Sequence, residues 1–147
     1  MSCPGDNYVV PGANPCAITV PLQTQAFGNN TITTVAVTNA AVPLSTVGFT
    51  NTQLSDIICN GSATFKTTSN TQYNINIYLT IDGVKMNTTD FQTSIIGINH
   101  FTTATITGFR TNLTASAHTL RLWASTNAPN GTITCISQTT NGLANLI

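Results

Sequence analysis

The segment Tyr73-Asn74-Ile75-Asn76-Ile77-Tyr78-Leu79-Thr80-Ile81, followed by Asp82-Gly83, has the most regular pattern in the chain. Apolar side chains occupy every odd position from Tyr73 to Ile81, and the side chains between them are Asn, Tyr or Thr. A period of two places alternate side chains on opposite faces and is typical of a half-buried β-strand. Asp-Gly is a strong signal for a two-residue hairpin turn. The segment therefore predicts a strand that buries one face and turns back at Asp82.

Similar short runs, rich in β-branched and apolar residues, continue along the chain from residue 17 onward. Asn60-Gly61, Asn130-Gly131 and Asn141-Gly142 separate neighbouring runs and predict further turns, while residues 87–97 are expected to form a loop. The pattern amounts to about nine or ten strands, with turn signals about every 8 to 12 residues, which is typical of a sandwich or barrel. We therefore predict an all-β, antiparallel two-sheet sandwich over residues 17–147.

Charged side chains are scarce. They make up 5% of the 147 residues, with four basic and four acidic side chains and a formal net charge of zero, against about a quarter in an ordinary domain. A nucleic-acid binder needs a basic patch, so that class is excluded. With so few charges, the hydroxyl and amide side chains of the 29 Thr and 17 Asn residues must hydrate the surface. Because a neutral surface favours association, we expect an associating subunit; a soluble protein that tolerates low charge is the alternative.

No run approaches 18 apolar residues, so no transmembrane helix or membrane insertion is expected. The first residues lack the basic start and apolar stretch of a secretory signal, which predicts synthesis in the cytoplasm without a cleaved leader.

Residues 1–16 contain three Pro, two Gly and two Cys, which predicts an irregular N-terminal arm. Its candidate anchoring residues are Cys3, Pro4, Tyr8, Val9, Val10, Pro11 and Cys16. With Cys59 and Cys135 there are four cysteines, which allow three pairings, and no C-x-x-C pair typical of zinc sites. Without a leader, free thiols are expected; a Cys3–Cys16 disulfide is the first alternative if the protein reaches an oxidising environment.

The sequence contains none of the common catalytic or nucleotide-binding motifs, and it has no Glu. His118 is expected at the start of a strand, hydrogen-bonded to a loop carbonyl rather than acting as a base. We therefore predict a protein that is not an enzyme and has no cofactor or metal. A metal site formed by His100 and His118, across strands or around a symmetry axis, is the alternative.

The C-terminal half resembles a known fold family. Its long alternating strand runs into Ile81-Asp82-Gly83, and Ala115-Ser116-Ala117-His118-Thr119-Leu120 later enters another strand. This order is similar to the tumour-necrosis-factor-like jelly roll at the ends of fibres, spikes and decoration proteins of phages and other viruses. In that family a Gly usually precedes the His-Thr pair, where Ala115-Ser116-Ala117 stands here. The resemblance covers about residues 60–147 and implies a jelly roll that assembles as a homotrimer.

The resemblance implies a virion structural protein on the particle surface: a homotrimeric capsid decoration, fibre-head or spike protein. The arm would anchor it to a capsid or tail protein of the same particle. Tyr78 and Trp123 lie on strand faces opposite the predicted core, and large aromatics are enriched at interfaces. We expect subunit or ligand contacts at Tyr78, Trp123, Leu143, Leu146 and Ile147; for the two aromatics, cover by a loop of the same chain is the alternative.

Two other functions fit the same features. A carbohydrate- or receptor-binding module for host attachment could use Trp123, Tyr78 and the Asn-rich loops, because jelly rolls also serve as lectins. A secreted adhesin or filament subunit would need an export signal.

Overall fold

The computed structural model describes residues 23–31, 33–86 and 90–146, and these residues form strands and connections without a helix. Accordingly, the described part of the chain offers no helix that could cross a membrane. The strands are β1 (Gln23–Thr31), β2 (Val35–Val37), β3 (Val42–Thr50), β4 (Ser55–Thr67), β5 (Tyr73–Ile81), β6 (Val84–Lys85), β7 (Phe91–Ile95), β8 (Phe101–Leu113), β9 (Ala117–Thr126) and β10 (Ile133–Leu146).

The strands form two five-stranded antiparallel sheets. Sheet A has the order β1-β10-β4-β8, with β2 also paired to β10; sheet B has the order β3-β9-β5-β6, with β7 also paired to β5. The chain crosses repeatedly between the sheets, as in a jelly roll. The predicted all-β, two-sheet antiparallel sandwich is confirmed.

β5 behaves as its alternation predicts. Ile75, Ile77, Leu79 and Ile81 are completely buried between the sheets, and burial of each such side chain stabilises the fold by about 1.5–3 kcal/mol. Asp82 and Gly83 have φ angles of 52° and 79°, the left-handed conformation that a type I′ turn requires at both central positions. The predicted hairpin into β6 is therefore confirmed.

The sandwich is closed at one edge by an aromatic pair that joins the sheets. Phe27 on β1 stacks on Phe49 on β3 with ring centroids 4.0 Å apart and planes 9° apart. The Phe49 ring in turn lies 5.6 Å from the imidazole of His118 on β9. This stack covers the side of the core where β1 and β3 are the outermost strands.

Two of the predicted turns are wrong. Asn60-Gly61 lies inside β4 and Asn141-Gly142 lies inside β10, and the two strands pair through both dipeptides, with Asn60 opposite Asn141. A Cβ on Gly61 would lie 2.8 Å from Leu122 Cδ1, and a Cβ on Gly142 would overlap the Phe27 ring. Both glycines therefore serve close packing rather than chain reversal. Asn130-Gly131 does form the predicted turn, with Gly131 at a φ of 87°.

The segment expected to be one loop before β8 contains a strand. β7 (Phe91–Ile95) pairs with β5, from Tyr73 opposite Ile95 to Ile77 opposite Phe91. β7 has only five residues, and its first two side chains are exposed. The segment therefore shows too little apolar–polar alternation to predict a strand. The strand widens sheet B and forms one wall of a cleft on its outer face.

The predicted arm at residues 1–16 and the start of the predicted sandwich, residues 17–22, lie outside the described residues. Their boundary stays a prediction.

The packing around Gly142 predicts that Gly142→Ala lowers the free energy of unfolding by about 1–3 kcal/mol, the usual cost of overpacking. Gly48→Ala is the matched control, because Gly48 also lies in a strand but a Cβ there meets nothing within 4 Å. That control should leave the stability unchanged or raise it by up to about 1 kcal/mol. Urea titration at one protein concentration measures both; equal effects would contradict the packing role of Gly142.

Candidate functional site

A stripe of apolar side chains crosses the outer face of sheet A. Phe109 on β8 pairs with Ile58 on β4, and Ile58 pairs with Leu143 on β10. Ala26 on β1 pairs with Leu143 and completes the stripe. Phe109, Ile58 and Leu143 are 49%, 46% and 40% exposed. Cross-strand neighbours of this kind lie about 5 Å apart, so the sheet presents a continuous apolar stripe from one edge to the other.

Three rows of neutral hydrogen-bonding side chains continue the same face. Thr107 Oγ1 donates to Asn60 Oδ1 at 2.7 Å, and Asn60 Nδ2 donates to Asn141 Oδ1 at 3.5 Å. The next two rows each join a hydroxyl of β4 to one of β8, at 3.3 and 3.0 Å: Ser62 with Thr105, and Thr64 with Thr103. We refer to the stripe and these three rows together as the neutral face.

Charged side chains lie at the ends of the neutral face. Lys66 Nζ lies 5.9 Å from the centroid of the Phe101 ring, at the end farthest from the apolar stripe. Asp56 accepts a hydrogen bond from a backbone amide of β8 at 3.0 Å, at the other end. Arg110 donates to a carbonyl of β5 at 3.1 Å, so its charge is directed toward sheet B. The middle of the neutral face is therefore polar without being charged.

Tyr78 and Trp123 lie on the outer face of sheet B, directly opposite each other on β5 and β9. Their rings are 8° from parallel, with centroids 6.1 Å apart. Trp123 Nε1 donates to Thr80 Oγ1 at 2.9 Å, which fixes the indole. Lys85 Nζ lies 4.4 Å from the centroid of the Tyr78 ring. The pair forms a partly exposed aromatic patch rather than part of the core.

The five predicted contact residues do not form one surface. Tyr78 and Trp123 lie on sheet B, and Leu143 lies on sheet A. Leu146 ends β10, but its side chain and all of Ile147 lie outside the described residues. Subunit contact by any of them stays a prediction.

A cleft of about 620 Å³ opens on the outer face of sheet B beside the aromatic pair. It lies over β5, β7 and β9 and the connections next to them. Its lining is almost entirely amides and hydroxyls: Asn39, Asn74, Asn76, Asp90, Gln92, Ser125, Thr126 and Asn127. None of these residues was predicted as a site, although the outward amides of Asn74 and Asn76 on the alternating strand were a usable signal.

Hydrogen bonds hold several of the cleft side chains in place. Asp90 Oδ2 accepts from Asn76 Nδ2 at 3.0 Å and from Lys85 Nζ at 2.9 Å. Partial burial acts to raise the pKa of Asp90, but the hydrogen bonds from Asn76 and Lys85 and the lysine charge outweigh it and lower that pKa. Asn127 Oδ1 accepts from the backbone amide of Asn74 at 2.8 Å. The cleft thus contains an ionised carboxylate whose charge is balanced by one lysine.

Asp82, His118 and Ser116 lie in the order carboxylate, imidazole, hydroxyl. His118 Nδ1 lies 2.6 Å from Asp82 Oδ2, and Nε2 lies 3.0 Å from Ser116 Oγ. Nε2 also lies 2.9 Å from the Thr114 carbonyl oxygen. Both ring nitrogens of this buried imidazole therefore face acceptors, the Asp82 carboxylate and the Thr114 carbonyl, besides the Ser116 hydroxyl. His118 ties the β5–β6 turn to β9, and its predicted bond to a loop carbonyl is confirmed.

The two described cysteines are free and buried. Burial raises the pKa of Cys59 to about 12. Burial also raises the pKa of Cys135 to about 11, although a hydrogen bond to the Ser137 carbonyl is present. Cys3 and Cys16 lie outside the described residues. Within the described ranges, no three His, Cys, Asp or Glu side chains come together as metal ligands.

Comparisons with known proteins agree on the fold. No protein-family model matches the chain, and no curated protein sequence matches it. Among solved structures, dimeric latent PorU from Porphyromonas gingivalis is 12% identical with a TM-score of 0.54, over 86% of this chain and 13% of that one. The T13 particle of infectious bursal disease virus is 6% identical with a TM-score of 0.50, over 84% and 36%.

A third similar structure is Eiger TNF from S. frugiperda, 13% identical with a TM-score of 0.49, over 87% of this chain and 94% of that one. At these identities the likeness concerns the β-sandwich fold alone.

The Asp82 contacts predict acid-sensitive stability. Partial burial acts to raise the pKa of Asp82, but hydrogen bonds from His118 and the Thr119 amide, with the charges of His118 and Arg110, lower it. A lowered carboxyl pKa stabilises the fold above the unfolded value of about 3.9, and this contribution disappears as the pH falls through the folded value.

Asp82→Asn should therefore lower the melting temperature at pH 6 and make its decline below about pH 4 shallower than in the wild type. Ser116→Ala, which keeps the carboxylate, should retain the wild-type decline. Melting temperatures between pH 2 and 7 measure this, and parallel curves for Asp82→Asn and wild type would contradict it.

Proposed function

We propose that the protein is a non-enzymatic structural subunit of a virus particle. In this proposal it forms a homotrimer on the particle surface, as a decoration, fibre-head or spike protein, and residues 1–16 attach it to a capsid or tail protein. The observation that carries the proposal is the neutral face of sheet A, with its exposed apolar stripe.

The neutral face suits contact with copies of itself. Around a threefold axis, three copies of the same face converge, so charges on that face would repel one another. Here the charges lie at the ends of the face, and its central side chains are apolar or paired through neutral hydrogen bonds. Burial of the stripe would remove three large exposed side chains from water, which favours association.

The shape of the stripe favours a ring. It is bulky at the β8 edge, where Phe109 lies, and small at the β1 edge, where Ala26 lies. A bulky edge fits against a small edge of the next copy, which is a head-to-tail contact. Head-to-tail contacts close into cyclic oligomers when the rotation allows, and the tumour-necrosis-factor-like resemblance supports a threefold ring.

The composition of residues 1–16 suits attachment without charge. Asp6 is their one charged side chain, and Tyr8, Val9 and Val10 form a short apolar run. Such a segment binds through backbone pairing and apolar contacts, as in strand addition to another protein. A capsid or tail protein with an open sheet edge or apolar groove is the partner that fits.

The self-association model predicts that Ile58→Asp converts the oligomer to a folded monomer, because it places a charge in the apolar stripe that association buries. Val84→Asp is the matched control, since Val84 is 54% exposed but lies on the β6 hairpin of sheet B. Sedimentation measures the mass, and circular dichroism checks the fold. An Ile58→Asp variant that stays oligomeric would contradict the model.

The attachment model predicts that a chain lacking residues 1–16 stays folded and trimeric but no longer binds particles stripped of the protein. Full-length chain added back to the same particles is the control. Co-sedimentation with particles measures the binding. A truncated chain that still decorates them would show that anchoring lies elsewhere.

A further inference from the structure

We propose that the cleft on the outer face of sheet B binds a neutral oligosaccharide of pyranose sugars. This inference concerns a surface separate from the neutral face, on the opposite side of the sandwich. In a trimer formed through sheet A, the cleft would stay open to solvent.

The lining matches the hydroxyl groups of sugars. An amide side chain carries both a donor and an acceptor, and a sugar hydroxyl likewise donates and accepts. Eight residues line the cleft; five are amides, two carry hydroxyls and one is a carboxylate. Among the described residues, no hydrogen bond uses the side chains of Asn39, Gln92 or Ser125, so their polar atoms are available to a ligand.

The charge balance selects a neutral ligand. Asp90 is the one charged side chain in the lining, and Lys85 pairs with it at 2.9 Å. A sialylated or sulfated sugar would bring its anion toward the Asp90 carboxylate. A cationic ligand would have to compete with Lys85 for the same oxygen. A neutral polyol avoids both the repulsion by Asp90 and the competition with Lys85. Its hydroxyls can donate to the ionised Asp90 carboxylate, which forms stronger hydrogen bonds than a neutral acceptor.

Part of the cleft is preorganised. The Asn76 amide is held by Asp90, and the Asn127 side chain is held by the backbone of Asn74. Side chains that are already fixed lose less conformational entropy when a ligand binds. These bonds orient two amides along the floor of the cleft before any ligand arrives.

The aromatic pair extends the cleft along the same face. Tyr78 follows Asn76 by two residues on β5, and Trp123 precedes Ser125 by two residues on β9, so each ring lies about 7 Å along its strand from the lining. The rings are nearly parallel, and the indole is fixed by Thr80. An apolar surface beside a few oriented polar groups is typical of small-ligand sites. Because Lys85 Nζ lies over the Tyr78 ring, the C–H face of a second sugar ring would pack on the Trp123 indole while the first occupies the cleft.

The test begins with the full-length protein on a panel of immobilised neutral, sialylated and sulfated oligosaccharides. Trp123 is the single tryptophan of the chain, so its fluorescence reports on the neighbouring cleft. The best neutral oligosaccharide is then titrated in solution by fluorescence and calorimetry. We expect binding to neutral members of the panel and a change in Trp123 emission on titration.

The variants are chosen to keep the fold. Gln92→Ala removes an exposed amide of the lining, and Gln53→Ala, an exposed glutamine in the β3–β4 connection, is its matched control. We expect Gln92→Ala and Asn76→Ala to weaken binding about two- to tenfold, the loss of one hydrogen bond to a ligand. Gln53→Ala should bind like the wild type.

Three outcomes would overturn the proposal: binding to no neutral oligosaccharide, binding to anionic members only, or equal affinity in Gln92→Ala and Gln53→Ala. The Ile58→Asp variant separates this proposal from self-association. Its affinity per site for the soluble oligosaccharide should equal that of the wild type whether or not the oligomer dissociates, because Ile58 lies on the other sheet.

Discussion

The pairing of β4 with β10 along their full length is the interaction on which the rest of the molecule depends. It runs from Ser55 opposite Leu146 to Thr67 opposite Ile133, straight through two Asn-Gly dipeptides. It continues because Gly61 leaves room for Leu122 of the other sheet and Gly142 leaves room for Phe27. A turn at either dipeptide would split sheet A, separate Ile58 from Leu143 and remove the neutral face.

The two outer faces of the sandwich differ in chemistry. Sheet A presents an apolar stripe with hydroxyl and amide rows that satisfy one another across strands. Sheet B presents a cleft whose side chains are partly fixed and partly available, beside two parallel rings. A face whose polar side chains already hydrogen-bond one another suits close contact with another protein surface. Side chains with free donors and acceptors suit a hydroxylated ligand. The proposed assembly and the proposed ligand site therefore do not compete for the same surface.

Strands with strict alternation could be predicted from the sequence, because the alternation of apolar and polar residues shows directly which side chains are buried. β5 and its Asp82-Gly83 turn are the clearest case. The Asn-Gly dipeptide favours a turn wherever it occurs in a sequence. Only the tertiary contacts of Gly61 and Gly142 show that these two dipeptides lie inside strands. Ile58 was missed for a related reason: in the run Ile57-Ile58-Cys59 nothing local says which side chain faces out. The cleft brings together residues as distant in sequence as Asn39 and Asn127. No short segment of the sequence predicts the strand pairing that places them side by side.

The mass of the intact protein under native conditions tests the central claim most directly, because the proposed self-assembly requires contact between copies through the neutral face. Native mass spectrometry at micromolar concentration should find a species of three copies of the 15.5 kDa chain. A single-copy mass across the accessible concentrations would contradict the account, and the neutral face would then need another occupant.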